Sequence, residues 1–128
     1  MLFVFIYQTA QKFGGVDERR IADVRQLRLA LQLYYEENGL YPVAIPGCHD
    51  IFILEKILSP KFMPDVPKER FTIDDHSQYQ YAVSDDALRF VLKITLDGTN
   101  NYLNNDLDGG VLGCNCDDPN YCLGINKK

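Results

Sequence analysis

The stretch from Asp17 to Asn38 constrains the fold more than any other part of the sequence, because it contains neither Pro nor Gly. Apolar residues recur in it at steps of three and four, the spacing of one face of an α-helix. That face consists of Ile21, Val24, Leu27, Leu31 and Tyr34. The following Asn38-Gly39 pair is typical of a helix end, since both residues tolerate the left-handed cap conformation. The sequence therefore predicts a long helix with an apolar stripe. Arg20 is placed among the polar residues outside this stripe.

The residues before this helix form a separate N-terminal segment, 1–16. Met1 to Tyr7 is apolar but too short to cross a membrane alone, which takes about 20 residues. It also lacks the charged region and cleavage site of a signal peptide. Three interpretations stay open: the cut end of a longer apolar helix, a surface-seeking segment, or a helix turn or strand in the core. Residues 17–128 are predicted to form the globular domain.

Two later segments have the alternation of β-strands. They run from Gln78 to Val83 and from Leu88 to Leu96, with a turn at Ser84–Ala87 between them. This pattern predicts an antiparallel hairpin with one apolar face and one solvent-facing side. The apolar face would hold Tyr79, Tyr81, Val83, Leu88, Phe90, Leu92, Ile94 and Leu96.

The order of elements predicts an α+β fold. A chain of 128 residues is large enough for one core, and the hairpin needs a cover that the long helix can supply. A short helix is expected at Ile51–Leu58, followed by an irregular crossover at Phe62–Pro67. The predicted fold is therefore a long N-terminal helix packed across a small antiparallel sheet, with an irregular Asp/Asn/Cys-rich C-terminal loop region.

Charge is concentrated at one end of the chain. The net charge is −5, and the stretch from Asp97 to Ile125 contains five Asp but no Lys or Arg. Without a clustered basic face, nucleic-acid binding is not expected. Like charges packed into one loop repel each other unless a cation joins them.

The stretch Asn104–Gly109 is the clearest candidate for such a cation site. Its sequence, NNDLDG, matches the first half of a D-x-[DN]-x-[DN]-G calcium loop. An EF-hand is excluded, because Asn115 stands where that motif needs Glu. The predicted Ca²⁺ ligands are Asn104, Asp106, Asp108, Asp117 and Asp118. The alternative is a surface turn rich in Asn and Asp.

The four cysteines, Cys48, Cys114, Cys116 and Cys122, favour disulfides and an oxidising compartment. A Cys116–Cys122 bond would close a small loop around two Asp and would leave Cys48 to pair with Cys114. Four cysteines allow three pairings, so the sequence leaves the connectivity open. The rivals are free thiols and a zinc site made of Cys114, Cys116 and Cys122 with Cys48 or His49, although the spacings are unusual for structural zinc.

Catalysis is not expected. Cys48-His49-Asp50 brings together the residue types of a nucleophilic site, but adjacent residues rarely aim at each other. Gly109-Gly110 is not followed by the Lys of a phosphate-binding loop. Neither an enzyme nor a small-molecule substrate is therefore predicted.

The stretch from Leu31 to Pro42 has the pattern L-x-x-Y-x-x-x-N-G-x-Y-P. It resembles the helix end of type IV pilins and type II secretion pseudopilins. The crossover at Lys61–Pro67, the hairpin, and the C-terminal stretch with its Cys-Asp-Asp-Pro-x-Tyr-Cys sequence are also similar to this family. The likeness extends from about Asp17 to Cys122.

The resemblance implies a structural subunit of an extracellular or periplasmic filament that assembles by helix packing and has no catalytic activity. The stripe would pack on the sheet, while Arg25, Arg28 and Gln32 would face neighbouring subunits. The implied partners are further copies or related pilin subunits. If a full N-terminal helix exists, the implied partners include the inner-membrane assembly machinery, and the subunit is membrane-anchored before assembly.

The family's N-terminal Phe-Thr-Leu-x-Glu start is not found, so its Glu-dependent charge pairing is not carried over. The alternative from another class is a secreted, calcium-stabilised monomeric binding module. It would hold its ligand on the sheet face that carries Tyr79 and Tyr81.

Overall fold

The computed structural model describes the backbone of residues 2–69, 78–97, 103 and 106–125, and the side chains of these residues from 15 to 124. The elements, in chain order, are α1 (Leu2–Asn38), β1 (His49–Asp50), a 3₁₀ helix (Ile51–Leu54) that continues into α2 (Glu55–Leu58), β2 (Gln80–Val83), β3 (Phe90–Thr95), β4 (Gly110–Val111), β5 (Cys114–Asn115) and β6 (Asn120–Ile125). The predicted α+β class, with one long helix and a small antiparallel sheet, is confirmed.

The helix α1 is interrupted once, at Gly15, whose φ of 77° and ψ of −169° are not helical. Such a conformation is open to Gly because it has no Cβ. The regular helix then continues to Asn38, where Gly39, with a φ of 81°, donates its N–H to the carbonyl of Tyr35 at 2.7 Å. The predicted helix end is therefore confirmed. In the described part of the chain, no helix has both the length and the apolar character of a membrane span.

The predicted apolar stripe of α1 lies in the main core. Ile21, Val24, Leu27 and Leu31 are buried there, and Tyr34 is partly buried with its ring edge-on to Phe62 at 5.6 Å. The residues predicted to lie opposite the stripe are exposed; they are Arg25, Arg28 and Gln32. The helix therefore buries one side and leaves the other at the surface.

The sheet has the strand order β1-β2-β3-β6, and every neighbouring pair is antiparallel. Its helix-facing side contributes Tyr79, Tyr81, Val83, Phe90, Leu92, Ile94, Leu96 and Tyr121 to the same core as the stripe. These positions alternate along the strands, as the hairpin pattern predicted. Leu88 is the exception: it was placed on this face but is 47% exposed, because it lies in the turn before β3 begins.

The second side of the sheet was predicted to face solvent, and this prediction is wrong at its centre. Val91 and Ala82 are buried there in a second apolar cluster with Val111 and three of the cysteines. The cover comes from the C-terminal region, which was expected to be irregular but supplies β4, β5 and β6. The sheet is therefore covered by α1 on one side and in part by the disulfide-linked strands on the other.

The chain after α1 is held to the hairpin by two hydrogen bonds. Tyr81 donates its hydroxyl to the carbonyl of Pro42 at 2.7 Å, and Tyr41 donates its N–H to the carbonyl of Ala87 at 2.8 Å. Burial raises the pKa of Tyr81 well above its usual value, so this hydroxyl stays a donor. The ring of Tyr41 lies 4.7 Å from that of Phe90. The ring contact gives Tyr41 a place in the core, while the two hydrogen bonds use the backbone of Tyr41 and Pro42.

Tyr79 and Tyr81 are not available to hold a ligand. Both are buried under α1, and the Tyr79 hydroxyl donates to the Asp23 carboxylate at 2.8 Å. The binding surface proposed for a monomeric module is therefore part of the core.

The short helix predicted at 51–58 is present, with a 3₁₀ first half that Asp50 caps by accepting the N–H of Phe52 at 2.8 Å. The crossover at 62–67 is irregular, as predicted.

Candidate functional site

Three carboxylates lie together on the C-terminal part of the domain. Oxygen atoms of Asp106, Asp108 and Asp118 all lie within 4.8 Å of one another. Asp108 and Asp118 are exposed, while Asp106 is partly buried. Three converging carboxylate oxygens could hold a metal ion, and hard cations such as Ca²⁺ and Mg²⁺ prefer oxygen ligands.

The edge of β6 positions the first two of these carboxylates. Leu107 forms an isolated bridge with Cys122, and its N–H donates to the Cys122 carbonyl at 3.2 Å. The N–H of Cys122 in turn donates to Asp106 Oδ2 at 3.0 Å. Because Asp106 and Asp108 flank Leu107, this pairing holds both of them along the outer edge of the sheet.

A disulfide-closed loop positions the third carboxylate. Cys116 and Cys122 are bonded to each other, and Asp118 lies in the loop between them. The N–H of Cys116 donates to the carbonyl of Gly109 at 2.7 Å, which ties the start of this loop to the end of the Asp106–Asp108 segment. Two segments about ten residues apart in the chain are thus held face to face.

Asp106 is the most perturbed member of the cluster. Burial, together with the charges of Asp108 and Asp118, raises the pKa of Asp106 to about 6, although the hydrogen bond from Cys122 opposes this shift. Its Oδ1 atom is buried and has no hydrogen-bond partner among the described residues. A buried oxygen without a partner is costly, and a cation at this point would coordinate it. The same cation would offset the repulsion among the three carboxylates. The donor set therefore fits a divalent cation.

Three of the five predicted ligands, Asp106, Asp108 and Asp118, form this cluster. Asp117 is exposed, and its Oδ1 accepts the N–H of Gly109 at 3.1 Å; it is not among the three carboxylates that lie within 4.8 Å of one another. Asn104 lies outside the described residues.

All four cysteines are in disulfides. The bonds join Cys48 to Cys114 and Cys116 to Cys122, which is one of the three pairings that the sequence left open. The zinc alternative is therefore wrong, because it needs free thiolates. The sulfur of Cys48 is likewise bonded, so the Cys48-His49-Asp50 stretch carries no thiol nucleophile.

The sequence did not predict the ion cluster around the buried Arg20. Arg20 is only 2% exposed and contacts the carboxylates of Glu69, Asp17 and Asp97 at 2.8–2.9 Å. One signal could have found it: Arg20 precedes Val24, Leu27 and Leu31 at helical spacing, so it lies on the buried stripe. A charge in that position needs partners from elsewhere in the chain.

The side of α1 away from the sheet has a defined row of exposed residues, called here the outer ridge. Its members follow at steps of three and four, and they are Ala22, Arg25, Leu29, Leu33 and Glu36. Leu29 is 56% and Leu33 is 42% exposed. Another molecule that packs on this ridge would bury the two exposed leucines.

Comparison of the chain with protein-family models, with curated proteins and with solved structures finds no match. The functional assignment therefore depends on the geometry of the carboxylate cluster and on the outer ridge of α1.

Proposed function

We propose that the chain is a structural subunit of an extracellular or periplasmic filament of the type IV pilus or type II secretion kind, without catalytic activity. The observation that carries the proposal is that α1 has an apolar side buried in the core and exposed apolar residues on its opposite side. One side of this helix closes the domain core, while Leu29 and Leu33 remain exposed on the other. A subunit that assembles by helix packing needs both sides.

The end of α1 also supports a filament role. Tyr41 and Pro42 occupy the last positions of the pilin-like pattern, and both are fixed to the hairpin by hydrogen bonds. These bonds connect the end of α1 to the sheet, and a subunit that transmits force between neighbours needs such a connection. Two disulfides are in keeping with an oxidising location outside the cytoplasm.

Filament incorporation of a tagged chain, expressed at its own locus, tests this role. Filaments sheared from the cell surface are examined by immunogold electron microscopy. The wild-type chain should label filaments, and the pair Leu29→Glu with Leu33→Glu should prevent this, because charged side chains on the ridge oppose helix packing.

The matched control is the pair Val43→Glu with Ile45→Glu. Val43 and Ile45 are 69% and 70% exposed but lie beyond the helix, so this control should still incorporate. A wild-type chain found only as free monomer, or a ridge variant that incorporates normally, contradicts the proposal.

We also propose that the ion held by Asp106, Asp108 and Asp118 is Ca²⁺ and that it stiffens the C-terminal region. Three carboxylate oxygens leave further positions for water or backbone oxygens, as Ca²⁺ tolerates. The ion would link the Asp106–Asp108 segment to the Cys116–Cys122 loop.

Thermal unfolding in millimolar Ca²⁺, in millimolar Mg²⁺ and in EDTA tests this assignment. Ca²⁺ should raise Tm by about 5 °C or more, and Mg²⁺ should do much less. Asp118→Asn should abolish the response. Asp117→Asn is the control, because its side-chain oxygen can still accept from Gly109 and it lies outside the cluster. Equal Tm values with Ca²⁺ and with EDTA would exclude a stabilising ion.

A further inference from the structure

Charge is ordered along the outer ridge of α1. Arg25 lies one turn before Leu29, and Glu36 lies one turn after Leu33, so the apolar pair has a base at one end and an acid at the other. All of these residues are exposed. The ridge is therefore positive at its N-terminal end and negative at its C-terminal end, and a partner surface with the reverse order of charges can pair with it.

A second copy of the same ridge matches it in the antiparallel orientation. If the two helices cross near residue 31, Leu29 of each copy faces Leu33 of the second copy. Arg25 of each copy then lies beside Glu36 of the second copy. In a parallel, in-register pair Arg25 would instead meet Arg25, and these like charges would repel each other. The charge order thus selects one orientation.

We propose that the chain forms a two-fold symmetric, antiparallel dimer through the outer ridge of α1. Such a contact is isologous: it uses the same surface on both copies and closes at two chains. The inference does not rest on the filament role. A subunit held in the dimer has its ridge covered and cannot offer it to a filament at the same time.

The dimer should be weak and sensitive to salt. The contact is small compared with the interfaces of stable dimers, and its ion pairs lie at the surface. Exposed ion pairs are screened at high ionic strength. Association should therefore rise with protein concentration and fall when sodium chloride is raised from 50 mM to 500 mM.

Sedimentation velocity of the full chain over a concentration series provides the test. Arg25→Glu and Glu36→Arg should each weaken dimerisation about tenfold or more, because each places like charges together twice in the dimer. A 1:1 mixture of the two variants should restore dimerisation, since the mixed dimer has two attractive pairs again. This restoration also shows that both variants fold.

Lys56→Glu and Asp85→Arg make the same changes in net charge at exposed positions away from the ridge. These controls should dimerise like the wild type. The proposal is overturned by a chain that stays monomeric at high concentration, by a mixture that does not recover, or by controls that fail equally. It is also overturned by open-ended growth beyond two chains, which indicates a staggered, parallel arrangement instead.

Discussion

The guanidinium of Arg20 forms two hydrogen bonds with the carboxylate of Glu69, Nε to Oε1 at 2.8 Å and Nη2 to Oε2 at 3.0 Å. Both side chains are buried, and Nη1 of Arg20 also contacts Asp17 and Asp97 at 2.9 Å each. Desolvation lowers the pKa of Arg20, but the bonds to Glu69 and Asp97 outweigh it and raise the pKa. This contact joins the start of the regular helix to the crossover and to the end of β3.

Removing the charge of Glu69 should destabilise the domain strongly. Glu69→Gln leaves Arg20 buried with its main partner neutral, and breaking a buried pair costs about 3 kcal/mol or more. The double variant Arg20→Met with Glu69→Leu should recover much of this loss, because it removes both charges. The free energy of unfolding from urea titration measures each effect.

The control for this pair is Glu37→Gln, which removes the exposed ion pair between Glu37 and Lys61. Exposed pairs contribute about 1 kcal/mol or less. Similar losses of unfolding free energy in Glu69→Gln and Glu37→Gln would show that the buried Arg20–Glu69 pair stabilises the domain no more than an exposed ion pair does.

The hydroxyl of Tyr81 should matter for stability. Tyr81→Phe leaves the carbonyl of Pro42 without its buried donor, which costs about 1–3 kcal/mol. Tyr35→Phe removes the hydroxyl of a tyrosine that is 37% exposed, and it should cost less than about 0.5 kcal/mol. Chemical denaturation distinguishes the two. A loss in Tyr81→Phe no larger than in Tyr35→Phe would mean that water replaces the missing donor.

Gly124 in β6 should not tolerate a side chain. A Cβ at this position would lie 2.1 Å from the carbonyl oxygen of Phe90 and 2.8 Å from Cα of Val91. Gly124→Ala must therefore push β6 away from β3, and we expect a loss of about 3 kcal/mol or more. Gly110→Ala is the control, since its Cβ would meet nothing within 4 Å. If both variants melt at the wild-type temperature, the close approach of β6 to β3 is wrong.

Metal binding should depend on pH through Asp106. A metal ligand must be deprotonated, and the pKa of Asp106 is raised to about 6, so the Ca²⁺-dependent rise in Tm should be full at pH 7.5 and lost below pH 5. Isothermal titration calorimetry over this range measures the same loss as a fall in affinity. An affinity that is constant from pH 7.5 to 5 would contradict the raised pKa of Asp106, while loss of binding in Asp106→Asn at pH 7.5 tests whether Asp106 is a ligand.

Without metal, Asp106 should have the opposite effect. Its folded pKa of about 6 exceeds the usual value of 3.8, so the folded state binds the extra proton. The stability that this proton confers is present below about pH 3.8 and is lost as the pH rises through about 6. Asp106→Asn in EDTA should remove this decline, so the difference in Tm between variant and wild type should grow in favour of the variant between pH 4 and 7.

The amphipathic spacing of Ile21, Val24, Leu27 and Leu31 was enough to predict α1 and its buried side. Alternation predicted the hairpin and the helix-facing side of the sheet. These patterns are local, because a helix or strand repeats its side-chain direction every few residues. The Asn, Asp and Gly residues near 104–109 likewise indicated a possible cation site.

Only the tertiary structure decided what happens where distant segments meet. It buried Arg20 against Glu69, covered Val91 with the disulfide-linked strands, and chose Asp118 rather than Asp117 for the carboxylate cluster. Adjacent residues of a loop point in different directions, so spacing alone could not separate those two carboxylates. The periodicity of the sequence therefore determined which sides of the elements are apolar. The packing of the elements determined which charges are buried together, because burial depends on groups brought from elsewhere in the chain.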